Sequence, residues 1–449
     1  MDDVFAYIDQ HASEYVGMLQ TLIHQSSVAA QGVGMAEMAA LVIDKLGTIG
    51  IDAREYDTRG GYPVVYGELA GASPKRLSFY NHYDVQPAEP LDLWHSDPWA
   101  AEVRDGRIWG RGVADNKGNI AARIAAIDAY RRVRGELPVS VKFIIEGEEE
   151  IGSPHLEHFA DDHPDLCQAD GCIWEFGGKG WDGRPQIYLG LKGICYVELR
   201  ARGANADQHS SIATTVPNPA WRLVWALASL KNQDEHVLIP GFYDKVQPPT
   251  NADIEALKRL PDNEQQRLEH LGLDHFLMNL TGIELKIQDY FQPTCTISGL
   301  LSGYTGAGSK TVLPSEAMAK VDMRLVPDQD PFEVFAALRK YLDDQGFDDI
   351  DMELLGPEHP ARTPLDSPLA QVVAAADKEL YGVDPVIYPT SAGSGPWYQL
   401  CTRFGVDACT AGVGHPRTKA HAPNENIYVD DFVQGIKQIC LIMERFGAA

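Results

Sequence analysis

Apolar positions along the chain alternate between two periods. From Val4 to Leu22 they recur at helical spacing, with Phe5, Ile8, Tyr15, Met18, Leu19 and Leu22 as the inner stripe. Met35 to Ile49 predicts a second helix closed by Gly50, and Asp52 to Glu68 predicts strands around a Gly60-Gly61 turn. The period then shortens. Leu77 and Phe79 mark a short strand, and Val139, Val141, Phe143 and Ile145 mark another with one well-buried face. Between them, Asn119 to Arg134 predicts a helix buried along Ile120, Ile124 and Ile127, with arginines at its C-terminal end. Gly171 to Trp174 predicts one more strand.

Each of these strands runs into residues with chemistry. His82-Tyr-Asp84 follows the first, Glu148-Glu149-Glu150 the second, and Glu175 the third. Asp115 lies in a sharp turn bracketed by Gly110, Gly112 and Gly118. In an open parallel α/β sheet, strand carboxyl ends share one crevice, which is where ligands bind. Carboxylates gathered there repel one another unless a cation or proton intervenes, so imidazole plus several carboxylates predicts a divalent metal site.

Near Gly193 the pattern changes. Ile194 to Arg202 alternates like a half-exposed strand, Pro219 to Leu230 and Phe332 to Leu342 read as helices, and Asn251 to Leu280 as a polar helical stretch broken at Pro261. Thr294–Ile297 and Ala317–Val326 read as antiparallel strands. The expectation is an α/β protein whose discontinuous catalytic domain, residues 1–192 and 362–449, has a mostly parallel sheet. Residues 193–361 form an inserted α+β domain.

Composition narrows the function. The 449 residues exceed one ordinary core. A formal net charge of −26 argues against a nucleic-acid partner, which needs clustered Lys and Arg. Seven cysteines without a CxxC pair predict reduced thiols and a cytoplasmic protein. No signal-peptide pattern or membrane-length apolar run is visible, so no membrane partner is expected.

The motifs His82-Tyr-Asp84, Gly112-Val-Ala-Asp115-Asn-Lys-Gly118, Glu149-Glu150-Ile-Gly152 and His421-Ala-Pro-Asn-Glu425 occur in that order, with Asp207-Gln-His209-Ser and Asp322-Met-Arg324 in the insertion. Together they resemble the co-catalytic metallopeptidase family of aminoacylase, carboxypeptidase G, succinyl-diaminopimelate desuccinylase and carnosinase. The resemblance spans essentially the whole chain and looks most like the carnosinase-type dipeptidases. It implies two divalent ions per subunit, zinc first, with manganese or cobalt as alternatives. His82, Asp115 and Glu175 would hold one ion; Asp115, Glu150 and His421 the other. Asp84 would orient the His82 ring. Glu149 would be the general base. The run of three glutamates leaves that choice open by composition, and the family pattern selects Glu149 and Glu150, leaving Glu148 as a solvated carboxylate.

The resemblance further implies that His209 stabilises the oxyanion and reaches the other subunit of a homodimer. Arg324 would bind a substrate carboxylate with help from the Ser391–Gly395 loop, through Ser394 and Gly395. His95 and His415 read as structural loop residues. The implied activity is amide hydrolysis of a small dipeptide or related compound with a free carboxylate. N-acyl amino acid deacylation, desuccinylation or carboxypeptidase action is the alternative, and a non-catalytic scaffold is the remaining reading. Carnosinase-type dipeptidases usually carry Asp where this chain has Glu175, which is the residue of the acylases and carboxypeptidases.

Overall fold

The computed structural model describes residues 1–449. The chain divides into two compact units. One comprises Met1–Gly190, Arg362–Thr390 and Gly395–Ala449; the other comprises Leu191–Ala361 and Ser391–Ser394.

The first unit is built on a six-stranded sheet. Its spatial order is Arg54–Tyr56, Val64–Leu69, Val139–Glu146, Ser73–His82, Gly171–Trp174 and Ala408–Thr410. The last four of these run parallel to one another, and Val64–Leu69 pairs antiparallel on the other side of Val139–Glu146. The register sets His82 opposite Glu146 and Phe79 opposite Ile173. The strand ends therefore line up, and His82, the turn after Glu146 and the residue after Trp174 emerge along one edge. The Val139–Glu146 strand is buried on both faces, not one, because it lies between a parallel and an antiparallel neighbour inside a sheet covered by helices.

Helix Lys117–Arg134 also differs from its sequence pattern. Every residue from Ile120 to Ile127 is buried, not only the Ile120–Ile124–Ile127 stripe. Helices Asp2–Gln10, Ala12–His24 and Val429–Ala448 pack around it, and its many alanines permit that close approach. The N-terminal helical stretch is two helices, Asp2–Gln10 and Ala12–His24, interrupted at His11. The His11 N–H bonds back to Tyr7 and Ile8 carbonyls, and its ring stacks on Tyr7 at 3.9 Å.

The second unit holds a four-stranded antiparallel sheet in the order Thr296–Ser302, Glu316–Leu325, Gly193–Arg202 and Asp351–Glu358. Helices Pro219–Leu230 and Pro331–Asp344 cover one face. Alternate strand residues such as Val197, Leu199, Val321 and Met323 pack against Leu223, Leu227, Leu338 and Leu342. Arg324, one position out of phase with Met323 and Leu325, projects from the opposite face. The segment Ser391–Ser394 belongs to this unit, held by the Lys192 N–H on the Gly393 carbonyl at 2.9 Å. No helix is long and apolar enough to cross a membrane.

Candidate metal centre

His82, the last residue of its strand, is fully buried. Its Nδ1 lies 3.1 Å from the Asp84 carbonyl and 3.3 Å from Asp84 Oδ1. A carbonyl only accepts, so this contact places a ring proton on Nδ1 and leaves Nε2 as the atom that faces Asp115. Nε2 is 3.2 Å from Asp115 Oδ1. The other Asp115 oxygen, Oδ2, is 2.9 Å from His421 Nε2, which is also 3.0 Å from Glu150 Oε2. Two groups result, His82–Asp115–Glu175 and Asp115–Glu150–His421, each with its ligand atoms within 4.8 Å of one another. Asp115 belongs to both, with one oxygen facing each.

Local structure fixes each member. Glu150 lies in a 3-10 turn after the Val139–Glu146 strand, where Gln86 donates to both its carboxylate oxygens (N to Oε1 at 3.2 Å, Nε2 to Oε2 at 3.0 Å). Asp84 Oδ2 accepts the Glu150 backbone N–H at 3.0 Å. Glu175 accepts from Asn116 Nδ2 through its carbonyl at 2.7 Å and through Oε2 at 2.9 Å. Asn116 is in turn bonded by Asn81, and the buried Arg123 donates to Asn81, Tyr80 and Trp174. His421 adopts φ +62°, a left-handed conformation that histidine tolerates better than most residues. It leaves the imidazole half exposed while aiming Nε2 at the carboxylates.

Burial and close neighbours shift the proton affinities of these groups. Burial raises the Glu175 carboxyl to about 8, reinforced by the Asp115 charge against opposition from His82 and Arg123. Burial also pushes Glu149 well above the usual carboxylate range, with Glu175, Glu150 and Asp115 adding to it against His82. Hydrogen bonds to Asp115 and Glu150 lift His421 to about 10. Burial opposes ionisation of Asp115, yet its bonds to His421 and His82 hold it well below the ordinary aspartate value. Four carboxylates and two imidazoles crowded this closely need protons or cations between them, and the oxygen-rich donor set with one shared carboxylate fits divalent cations.

The remaining predicted residues fall elsewhere. Glu149 is half-buried beside the cluster, within the same turn as Glu150. Glu148 is not solvated: it is buried, and its carboxylate lies 2.9 Å from His155 Nδ1. Three consecutive glutamates look alike in sequence, and only the turn geometry points Glu148 inward. His415 is buried, accepting the Arg417 N–H at 3.1 Å. In the second unit, His209 is exposed and its Nδ1 accepts the Ser211 N–H at 3.2 Å. Arg324 Nη1 donates to Ser394 Oγ at 2.7 Å, while Arg324 Nε lies 3.3 Å from Asp322. Gly395 is buried at the start of the following segment of the first unit. Sequence reasoning gave no role to Glu425, Asn116 or Arg111, although the first two stand inside the quoted motifs.

An open α/β sheet with a metal-type donor cluster at its strand ends is an arrangement that metal-dependent hydrolysis can use. The chain belongs to peptidase family M20/M25/M40, a family of metallopeptidases, whose model matches residues 78–445. It is 31% identical to the Beta-Ala-His dipeptidase of Rattus norvegicus, over 76% of this chain and 73% of the relative. It is 28% identical to the Cys-Gly metallodipeptidase of Schizosaccharomyces pombe, over 100% of this chain and 98% of the relative. Among solved structures, an M20 family metallo-carboxypeptidase from Sulfolobus solfataricus superimposes with a TM-score of 0.93 at 37% identity, covering 97% of this chain and 100% of that one.

Proposed function

We propose that the protein hydrolyses the amide bond of small dipeptides with a free carboxylate, using two divalent ions. The observation that carries this reading is Asp115, with one oxygen 3.2 Å from His82 and the other 2.9 Å from His421. His82, Asp115 and Glu175 would hold one ion; Asp115, Glu150 and His421 would hold the other. When bound, the ions supply Lewis acidity to the scissile carbonyl and lower the pKa of the attacking water. Zinc is the first choice, with manganese or cobalt compatible with the donors.

Glu149 takes the proton from that water and delivers it to the leaving amine nitrogen. Asp84 keeps the His82 ring in the tautomer that leaves Nε2 free. Arg324, backed by Ser394, pairs with the substrate carboxylate, and the Gly395 segment contributes backbone donors. His209 donates from Nε2 to the developing oxyanion; its Nδ1 already accepts the Ser211 N–H, so the neutral ring carries its proton on Nε2.

A homodimer is part of the proposal. The edge strand Thr296–Ser302 exposes Ile297, Leu300 and Leu301, and helix Pro219–Leu230 exposes the stacked pair Trp221 and Trp225. Apolar side chains on an unpaired edge favour a second copy as partner. Seven free cysteines, all buried, support a reducing cytoplasmic setting.

A carboxypeptidase reading is favoured by two observations: Glu175 at the position of the acylases and carboxypeptidases, and the 37% identity to the Sulfolobus metallo-carboxypeptidase. The deciding experiment loads metal-free protein with Zn²⁺ or Mn²⁺ and compares a dipeptide, its N-acetyl form and a tetrapeptide. Faster cleavage of the free-amine dipeptide supports the dipeptidase reading. Cleavage confined to the acylated compound, or release of the last residue of the tetrapeptide, overturns it in favour of a deacylase or carboxypeptidase.

A further inference from the structure

The first unit's sequence is discontinuous, so residues far apart in the chain must be brought into register at the centre. Asp115 comes from the segment before helix Lys117–Arg134, and His421 comes from the last stretch of the chain, some three hundred positions later. Four residues past His421, the Glu425 side chain is fully buried and enters the turn that carries Asp115. Oε2 accepts from Arg111 Nη1 at 2.8 Å and from the Gly112 N–H at 2.9 Å. Oε1 accepts from the Ala114 N–H at 2.9 Å and the Asp115 N–H at 3.1 Å. The Glu425 carbonyl also accepts the Gly110 N–H at 3.0 Å.

This arrangement does more than fill a core. A buried carboxylate is costly unless its lone pairs are satisfied, and here each oxygen has two donors, the Arg111 guanidinium being one of the four. The donors belong to one turn of five residues, so the carboxylate fixes the shape of that turn. Gly112, at φ +84°, leaves no room for a Cβ, which would meet Val85 at 2.5 Å. The turn is thus held by close packing at Gly112 and by the Glu425 carboxylate within it. The last N–H in the set is that of Asp115 itself, so the Glu425 carboxylate sets the direction in which the Asp115 backbone presents its side chain.

We propose that Glu425 is a positioning residue for the metal centre: it locks Asp115 to the chain segment that carries His421, so that the shared carboxylate meets both groups at once. The proposal rests on the reading of these residues as metal ligands. Because Asp115 belongs to both groups, loosening Glu425 weakens both sites together. Groups that orient metal ligands typically contribute about 10–100-fold in affinity.

The test uses Glu425→Gln and Glu425→Asp, with Asp377→Asn as a control for a buried carboxyl elsewhere in the unit. Gln turns an N–H₂ towards two N–H donors that need an acceptor. Asp keeps the charge but is one methylene too short to span both donor pairs. Metal-free proteins are titrated calorimetrically with Mn²⁺, and folding is followed by circular dichroism. The expected result is a roughly 10–100-fold loss of Mn²⁺ affinity in both Glu425 variants, with the smaller loss in Asp and none in the control. Affinity within twofold of wild type in folded Glu425 variants overturns the proposal. Failure of both variants to fold while Asp377→Asn folds also overturns it, because Glu425 would then be holding the fold and not the ligand. A wild-type protein that takes up no Mn²⁺ would overturn the metal-centre reading itself, a distinct result.

Discussion

The Asp84 carboxylate accepts the Glu150 backbone N–H at 3.0 Å, and its other oxygen sits 3.3 Å from the His82 ring. One side chain thereby ties the end of the His82 strand to the turn that carries Glu149 and Glu150. Asp84→Asn keeps an oxygen for the Glu150 N–H but removes the charge beside the imidazole. The expected outcome is a folded protein with metal affinity lowered roughly 10–100-fold, read by titration of the metal-free form. Unchanged affinity would show that the Asp84 carbonyl alone orients the ring.

Glu149 can be separated from its neighbour Glu150 by which property each change removes. Glu149→Ala should retain both metal ions, measured by elemental analysis after dialysis, while kcat falls by about 10²–10⁴-fold. Glu150→Ala should lose metal as well as turnover. A Glu149→Ala enzyme of full activity would move the proton-transfer role to another group.

Arg324 predicts a binding effect. Its Nη1 is already aimed by Ser394 Oγ at 2.7 Å. Arg324→Met should raise KM for a dipeptide by roughly 10–100-fold, the worth of a charged hydrogen-bonded contact, with a smaller effect on kcat. The same variant should be nearly indifferent to amidation of the substrate carboxylate, whereas wild type should discriminate strongly. Equal sensitivity in both proteins would remove Arg324 from carboxylate recognition.

Asp377 carries a pH prediction away from the metal centre. It is fully buried; Oδ1 accepts from Gln438 Nε2, while Asp377 Oδ2 and Gln438 Oε1 are both buried without partners. Protonating Asp377 removes the cost of burying its charge. Burial raises its pKa from 3.8 to about 7, with the Gln438 bond opposing. Between those values the folded protein keeps a proton that the unfolded chain releases, so this group's contribution to stability is fully present below about pH 4 and is lost as pH rises towards about 7. Asp377→Asn reproduces the neutral pair at every pH. It should match wild type in stability at pH 4 and exceed it at pH 8, by an amount on the order of a few kcal/mol, read by denaturant unfolding. No difference at pH 8 would place the carboxylate in a less costly environment.

Much of this was legible along the chain because the governing physics is local. A strand's period is two, so Leu77–Phe79 and Val139–Ile145 announced themselves, and the polar residues that follow them marked the strand ends where such sheets bind ligands. Helix Pro219–Leu230 has the bounds its apolar spacing predicts, starting at a proline after an Asn218 cap. Local pattern failed where a distant partner decided the outcome. The all-round burial of Ile120–Ile127 depends on helices from both ends of the chain, and the inward turn of Glu148 depends on His155.

The sequence by itself determined the strand–ligand alternation, the order of the motifs and the family they resemble. Those features live in residue type and spacing. Only the tertiary structure decided which groups work on which. Asp115 divides its two oxygens between His82 and His421, Asp84 reaches Glu150, and Glu425 closes around the Asp115 turn. Each of these contacts joins segments separated along the chain, and a hydrogen bond depends on distances of a few ångströms that residue spacing does not encode.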